Sequence, residues 1–254
     1  MATGLKKDSR VIYLYGITQE KPRDIPDMIG VDRFAKIQTI DCEGVVCWIS
    51  RVSALDFDKS LANNMENLDW VAETSVAHQR VIATIGSKAE ILPARLGTIF
   101  LTEASLCKHV LKRLESLKRD FKRIKGADEW GVKVFEVQPL VVPKIRSGKD
   151  YLKAKAALLP ARGKKLDSAA EIAEFEHALQ GVASDTAPAG SVSRGQRGLA
   201  FQRTLLVRRA NRRKLESLLQ KFARDWADAR RIECTGPWPP YSFVSRPDDG
   251  VRLK

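Results

Sequence analysis

Apolar positions along the chain switch between a period of two and a period near 3.6, and each switch marks a predicted element. Residues 11–17 (VIYLYGI) form a short apolar, β-rich run after a polar start. Residues 19–30 hold two prolines and read as loop. The stretch FAKIQTIDCEGVVCWISRV predicts two strands joined at DCEG, where Gly44 supplies the turn. A helix follows over 67–87, with Leu68, Val71, Ser75, His78, Ile82 and Ile85 on one stripe. In AEILPARLGTIF, Pro93 lacks a ladder donor and Gly97 weakens a regular strand. That segment therefore reads as an edge strand, a bulge or an extended crossing. One long helix is predicted over 102–125. Leu106, Val110, Leu114, Leu117, Phe121 and Ile124 bury one face, Lys108, Lys112, Arg119 and Arg123 line another, and Gly126 ends it.

EWGVKVFEV (129–137) restarts the β pattern, so a domain boundary is placed near residue 127. Ser147 is a candidate cap for a helix through GKDYLKAKAALL that Pro160 stops. Asp167 caps a further helix with the stripe Ile172, Phe175, Leu179 and Val182. Residues 183–197 are rich in small residues and read as a mobile loop, with GSVSR as a candidate extra strand. GLAFQRTLLV is a strand, Asn211 caps a helix burying Leu215, Leu218, Phe222 and Trp226, and RRIECT is the last strand. The expected class is α+β in two domains: an α+β domain over 1–127 and a second over 128–235. The second has a small sheet covered on one side in the manner of a split βαβ unit, and a tail follows over 236–254.

Composition narrows the class. No apolar run approaches the roughly 20 residues that cross a bilayer, and MATGLKKDSR lacks the apolar stretch of a secretory signal. A cytoplasmic protein without a membrane partner is expected. Cys42, Cys47, Cys107 and Cys234 form no CxxC pair, so in a reducing compartment they read as buried apolar residues or idle thiols. The net charge of +13 is concentrated in residues 108–125 and in Arg203–Lys214. These runs suit an acidic partner or a solvated helix face. No zinc finger, helix-turn-helix spacing or aromatic RNA-binding strand accompanies them, which leaves a basic nucleic-acid-binding protein as the runner-up.

Chemistry is sparse. The chain lacks a P-loop, a dinucleotide-binding glycine fingerprint, HExxH and GxSxG. His78, His109 and His177 all fall on predicted helices, and His78 lies on an apolar stripe, where a hydrogen-bonded core histidine is the expected reading. No catalytic, cofactor or metal residue is predicted.

Three ordered stretches carry a resemblance: HQRVIATIGSKAEILPARLGTIF, EWGVKVFEV with GKDYLKAK downstream, and TGPWPPYSFV. The chain resembles the GvpF/GvpL family of gas vesicle proteins, and GPWPPYSF is the most specific match. The family usually has phenylalanine where this chain has Leu96. The resemblance implies a non-enzymatic accessory or minor structural protein of gas vesicles with no cofactor. It also implies a second domain that is a modified ferredoxin-like fold, and as partners the hydrophobic shell protein GvpA and other accessory Gvp proteins. The isolated chain is expected to be monomeric.

The structural or partner-binding candidates are His78, Pro93, Arg95, Gly97, Trp130, Tyr151, Gly236, Pro237, Trp238, Pro239, Pro240, Tyr241 and Phe243. An exposed sheet edge at Pro93–Phe100 and the basic helix faces are the candidate docking surfaces. Arg95, flanked by Pro93 and Gly97, is expected to be buried and paired as a structural clamp, with partner contact as the alternative. Gly236 and Pro237 should stop the last strand. Trp238, Tyr241 and Phe243 are expected to dock on the chain's own domains, with an exposed anchor as the alternative.

Overall fold

The computed structural model describes residues 10–137, 168–188 and 196–245. Residues 10–128 and 238–245 group into one compact unit and the described part of 129–237 into another.

In the first unit, strand β1 (Arg10–Thr18) is flanked by β3 (Val46–Ser53), which pairs with β2 (Gln38–Asp41). On the other side β1 pairs with β4 (Ile91–Pro93) and β5 (Ile99–Phe100). All these pairings are antiparallel, and β1 has a register shift between Leu14 and Gly16. Strand β1 is buried on both faces. Alternation sends Val11, Tyr13 and Tyr15 into one core with Val81, Ile82 and Ile85 of a long helix, and Ile12 and Leu14 to the opposite face.

Asn67 caps that helix, α2 (Leu68–Gly86), by accepting from the backbone N–H groups of Asp69 and Trp70; a short helix α1 (Leu61–Glu66) precedes it. Leu68, expected on the buried stripe, is 82% exposed. The fully buried stripe begins a turn and a half later, at Thr74. The predicted single helix over 102–125 is two helices, α3 (Glu103–Lys112) and α4 (Leu114–Ile124). They are broken where Arg113 leaves helical dihedrals at φ −110°, ψ 3°. A capping box between Thr102 and Ser105 starts α3.

Strand β6 (Ala127–Glu136) opens the second unit. Helix α5 (Ser168–Gln180), β7 (Asp185–Ala187), β8 (Leu199–Arg208), α6 (Arg212–Trp226) and β9 (Arg230–Trp238) follow. The sheet order β7-β8-β6-β9 and the βαββαβ sequence of the described elements are those of a ferredoxin-like split βαβ. Trp130, Val132 and Val134 alternate on β6, and Phe201, Leu205 and Val207 follow the same period on β8. They pack against Phe175, Leu179, Leu215, Phe222 and Trp226. Phe175 sits at the centre, edge-on to Phe201, Phe222 and Trp226 at 4.9–5.5 Å between ring centroids. Buried Arg230 is held by Glu171 at 2.5 Å and lies over the Trp226 ring.

Two expectations for this unit are corrected. The proposed loop over 183–197 begins with β7, paired antiparallel to β8 from Asp185↔Leu206 to Ala187↔Thr204. Its three polar or small residues carry no strand pattern of their own, so pairing with β8 makes the strand. The candidate strand GSVSR and the helix proposed after Ser147, with Tyr151, lie outside the described residues. Strand β9 also does not stop at Gly236: it continues through Gly236 and Pro237 to Trp238. Proline is tolerated there because β9 is an edge strand, with one side free of ladder bonds.

Candidate functional site

The segment from Ile91 to Phe100 runs along β1 as an interrupted edge strand. Ala94 N–H donates to Tyr15 C=O at 2.8 Å and Leu14 N–H to Thr98 C=O at 2.9 Å, which hold the two ends of the interruption. Between them Gly97 turns the chain at φ +77°, a conformation open to glycine. Its N–H donates to the Tyr13 hydroxyl at 3.2 Å. Tyr13 in turn bonds His78 Nδ1 at 3.0 Å, and His78 Nε2 bonds the Ala94 carbonyl at 3.1 Å. A carbonyl accepts only, so Nε2 carries the proton, Nδ1 accepts, and Tyr13 donates. Burial pushes the Tyr13 hydroxyl well up, which keeps it a donor.

This chain of bonds makes His78 a satisfied core histidine that fastens the bulge to helix α2. Burial lowers the imidazole from 6.5 to about 4, against a smaller upward pull from the Ala94 carbonyl. The unfolded chain takes up this proton near pH 6.5 and the folded chain not until about pH 4. Stability is therefore full above the unfolded value and falls as pH drops through that window, by about 3 kcal/mol in total. Denaturant melts between pH 7 and 4.5 should show this loss. In His78→Gln the slope should be shallower by up to one proton; an unchanged slope would mean His78 is not the titrating group.

Pro93 is buried with Ile91 and Leu92. That closes the β4 part of the proposed Pro93–Phe100 docking edge to an incoming strand. The sheet's edges are β2, whose residues are half-buried or exposed, and on the other side of β1 the strands β4 and β5, of which β5 is half-buried. Arg95 corrects a second expectation. It is exposed, and among the described residues its guanidinium makes no hydrogen bond or ion pair. Its carbonyl alone is used, accepting from Thr98 N–H and Oγ1–H at 3.1 and 2.7 Å. The bulge lifts the side chain off the sheet, so it is not a buried clamp.

The chain's last described residues, 238–245, pack on the first unit. Phe243 is 1% exposed and Pro240 is buried, whereas Trp238 is 46% exposed. Docking was expected of all three aromatic side chains, and Trp238 departs from it. It ends the edge strand β9 before the chain turns at Pro239. Tyr241 donates its hydroxyl to Gln79 Oε1 at 2.9 Å. The buried Asp120 carboxylate accepts both Ser245 N–H and Ser245 Oγ–H at 2.8 Å. Arg113 donates to the Ser245 carbonyl, and Arg123 donates to the Phe243 carbonyl at 3.3 Å. Asp120 was missed from sequence, although a signal existed. It falls between Leu117 and Phe121 on the apolar stripe of α4, where an acid needs a partner.

Trp130 and Gly236 belong to the second unit and meet there. A Cβ added at Gly236, which has φ +137°, would lie 2.9 Å from the Trp130 ring and the Glu129 carbonyl. Only glycine lets β9 run that close to β6. The Gly236–Pro237 peptide is cis. The cysteine expectation fails at one pair: Cys42, at the turn after β2, and Cys107, on α3, form a disulfide. Their sequence separation of 65 residues conceals the pairing from spacing rules. Cys47 and Cys234 are free thiols.

Among the described residues no group of His, Cys, Asp and Glu is arranged to hold a metal ion. No described helix is long and apolar enough to cross a membrane. The sequence model of the family described as "Gas vesicle synthesis protein GvpL/GvpF" matches residues 11–245. A curated relative, gas vesicle protein L of Streptomyces sp. (strain CB03234), is 28% identical over 263 residues, covering 95% of this chain and 96% of the relative. The fold is similar to the crystal structure of GvpF from Anabaena sp. PCC7120, with a TM-score of 0.66 at 15% identity, covering 94% of this chain and 97% of that one. It is also similar to GvpF from Microcystis aeruginosa, with a TM-score of 0.64 at 16% identity, covering 93% and 99%.

Proposed function

The chain belongs to the GvpL/GvpF family of gas vesicle proteins, and on that premise we propose that it is a non-enzymatic accessory or minor structural protein that binds the shell protein GvpA and other Gvp proteins during vesicle formation. The observation that carries the reading is the family match over nearly the whole described chain. Surface chemistry supports it. Ile29, Phe34, Leu68, Val76 and Trp238 are large apolar side chains left 46–86% exposed. Such surface suits a helper that must cover an apolar subunit before it enters a wall.

The basic runs are partly neutralised from within. Arg203 pairs with Glu176, Arg212 with Glu216 and Lys118 with Glu115. Phe201, on the strand that would have to stack on bases, is buried. Both features favour a protein partner over nucleic acid.

The test is made in a vesicle-forming host. Deleting the gene should abolish or sharply reduce buoyant vesicles, and the tagged full-length chain should co-purify GvpA. Normal vesicles in the deletion strain, with the chain instead retaining RNA in a steeply salt-dependent manner, would overturn the reading.

A further inference from the structure

Beneath the docked tail, the first unit contains a cavity of about 270 Å³. Its interior is built by Leu14, Ile17, Leu92, Phe100 and Leu117 from the sheet face and α4, and Tyr241 with Val244 forms the roof. The polar groups on its lining are Arg95, Thr98, His109, Arg113 and Ser245, and no carboxylate is among them. His109 is pushed below its usual range by burial and by the neighbouring Arg113 and Lys112 cations, so it is neutral near pH 7. Arg113 is engaged with Ser245 and His109. Arg95 is exposed and, among the described residues, unpartnered. The site thus offers an apolar interior and a free cation at its mouth.

We propose that this cavity is an anchor site for a segment of a gas vesicle protein that carries a large apolar side chain next to an Asp or Glu. The apolar group would enter the cavity and the carboxylate would pair with Arg95. This inference rests on the partner-binding reading above. Size selects a side-chain anchor over a free small molecule. A void of about 150 Å³ lined by apolar groups already holds a benzene ring, whereas drug-sized ligands occupy about 300–1,000 Å³. Charge selects the flanking residue. A guanidinium with no acid partner among the described residues presents a planar double donor that matches a carboxylate and repels a basic segment. Leu101, which follows Phe100 in the chain, is 67% exposed and extends apolar surface beyond the lining strand. The tail's role is also given a reason: docking Tyr241 and Val244 completes the wall that the anchor needs.

The experiment uses the full-length chain and fluorophore-labelled synthetic peptides tiling GvpA and the other vesicle proteins of the same host. Peptides with an apolar–acidic pair should bind, and binding should weaken with salt. Arg95→Glu should reduce affinity about tenfold and Arg95→Lys much less, because an exposed rim charge steers a complementary partner. Val244→Trp, which fills the cavity from the roof, should abolish binding while the melting temperature stays near that of the parent. Changing the peptide's acid to lysine should cost as much as Arg95→Glu. If both variants melt normally and bind the peptides as the parent does, or if no peptide binds while the full chain still captures vesicle proteins, the site is wrong and the functional reading stands. A full chain that captures no vesicle protein overturns the functional reading, and the site falls with it.

Discussion

Phe243→Ala is expected to destabilise the protein by about 3–5 kcal/mol, the range for removing a fully buried aromatic ring. The ring is 1% exposed, and the Arg123 guanidinium lies 5.8 Å from its centroid. Its loss would leave a void that the short helical turn at Tyr241–Phe243 cannot close without dragging on Ser245. Ser245 is pinned to Asp120, a carboxylate that is 2% exposed. A truncation ending at Trp238 should cost at least as much, because it also strands Asp120 without the two hydrogen bonds that satisfy it. Trp238→Ala is the internal control: with the ring 46% exposed, its effect should stay near 1 kcal/mol or below. Urea denaturation of the three variants beside the parent decides the matter. A truncated chain with the parental midpoint but without partner capture would show that these residues are an anchor for a partner.

The core of each unit was legible because it obeys simple periods. Leu106, Val110, Leu117, Phe121 and Ile124 repeat at helical spacing and are buried, and Phe201, Leu205 and Val207 lie on one strand face as alternation requires. Most of the misses share a cause: they depend on neighbours distant in sequence. Strand β7 exists through pairing with β8. Helix α2 was expected to bury Leu68, but full burial on that helix begins at Thr74. Arg95 sits in apolar surroundings in sequence and in solvent in space, because a one-turn excursion around Gly97 re-aims it. The Tyr13–His78–Ala94 linkage joins three segments, and only the odd placement of His78 on an apolar stripe hinted at it. The candidate anchor site draws on β1, the 91–100 segment, α3, α4 and the tail, so no single motif announces it.

The Cys42–Cys107 disulfide should be the second large contributor. It closes a loop spanning 65 residues of sequence separation, and loop-closure entropy assigns such a link about 4 kcal/mol. Reduction, or the double substitution Cys42→Ser with Cys107→Ser, should lower the denaturation midpoint in step with that figure, reduced by whatever structure the unfolded chain retains. Thiol counting separates the bonded chain from a reduced one. The non-reduced native protein should expose one thiol, Cys234, and a second, Cys47, only on unfolding, because Cys47 is buried and Cys234 is exposed. Four thiols in the denatured, non-reduced protein would refute the bond. The consequence reaches past stability. The bond ties the turn between β2 and β3 to helix α3, which carries His109 on the cavity lining and is followed by Arg113. Loosening α3 should therefore weaken peptide binding at the cavity even where the protein remains folded, an effect measurable by comparing reduced and oxidised protein well below the melting transition. Equal affinity in the two forms would confine the disulfide to a purely global role in stability.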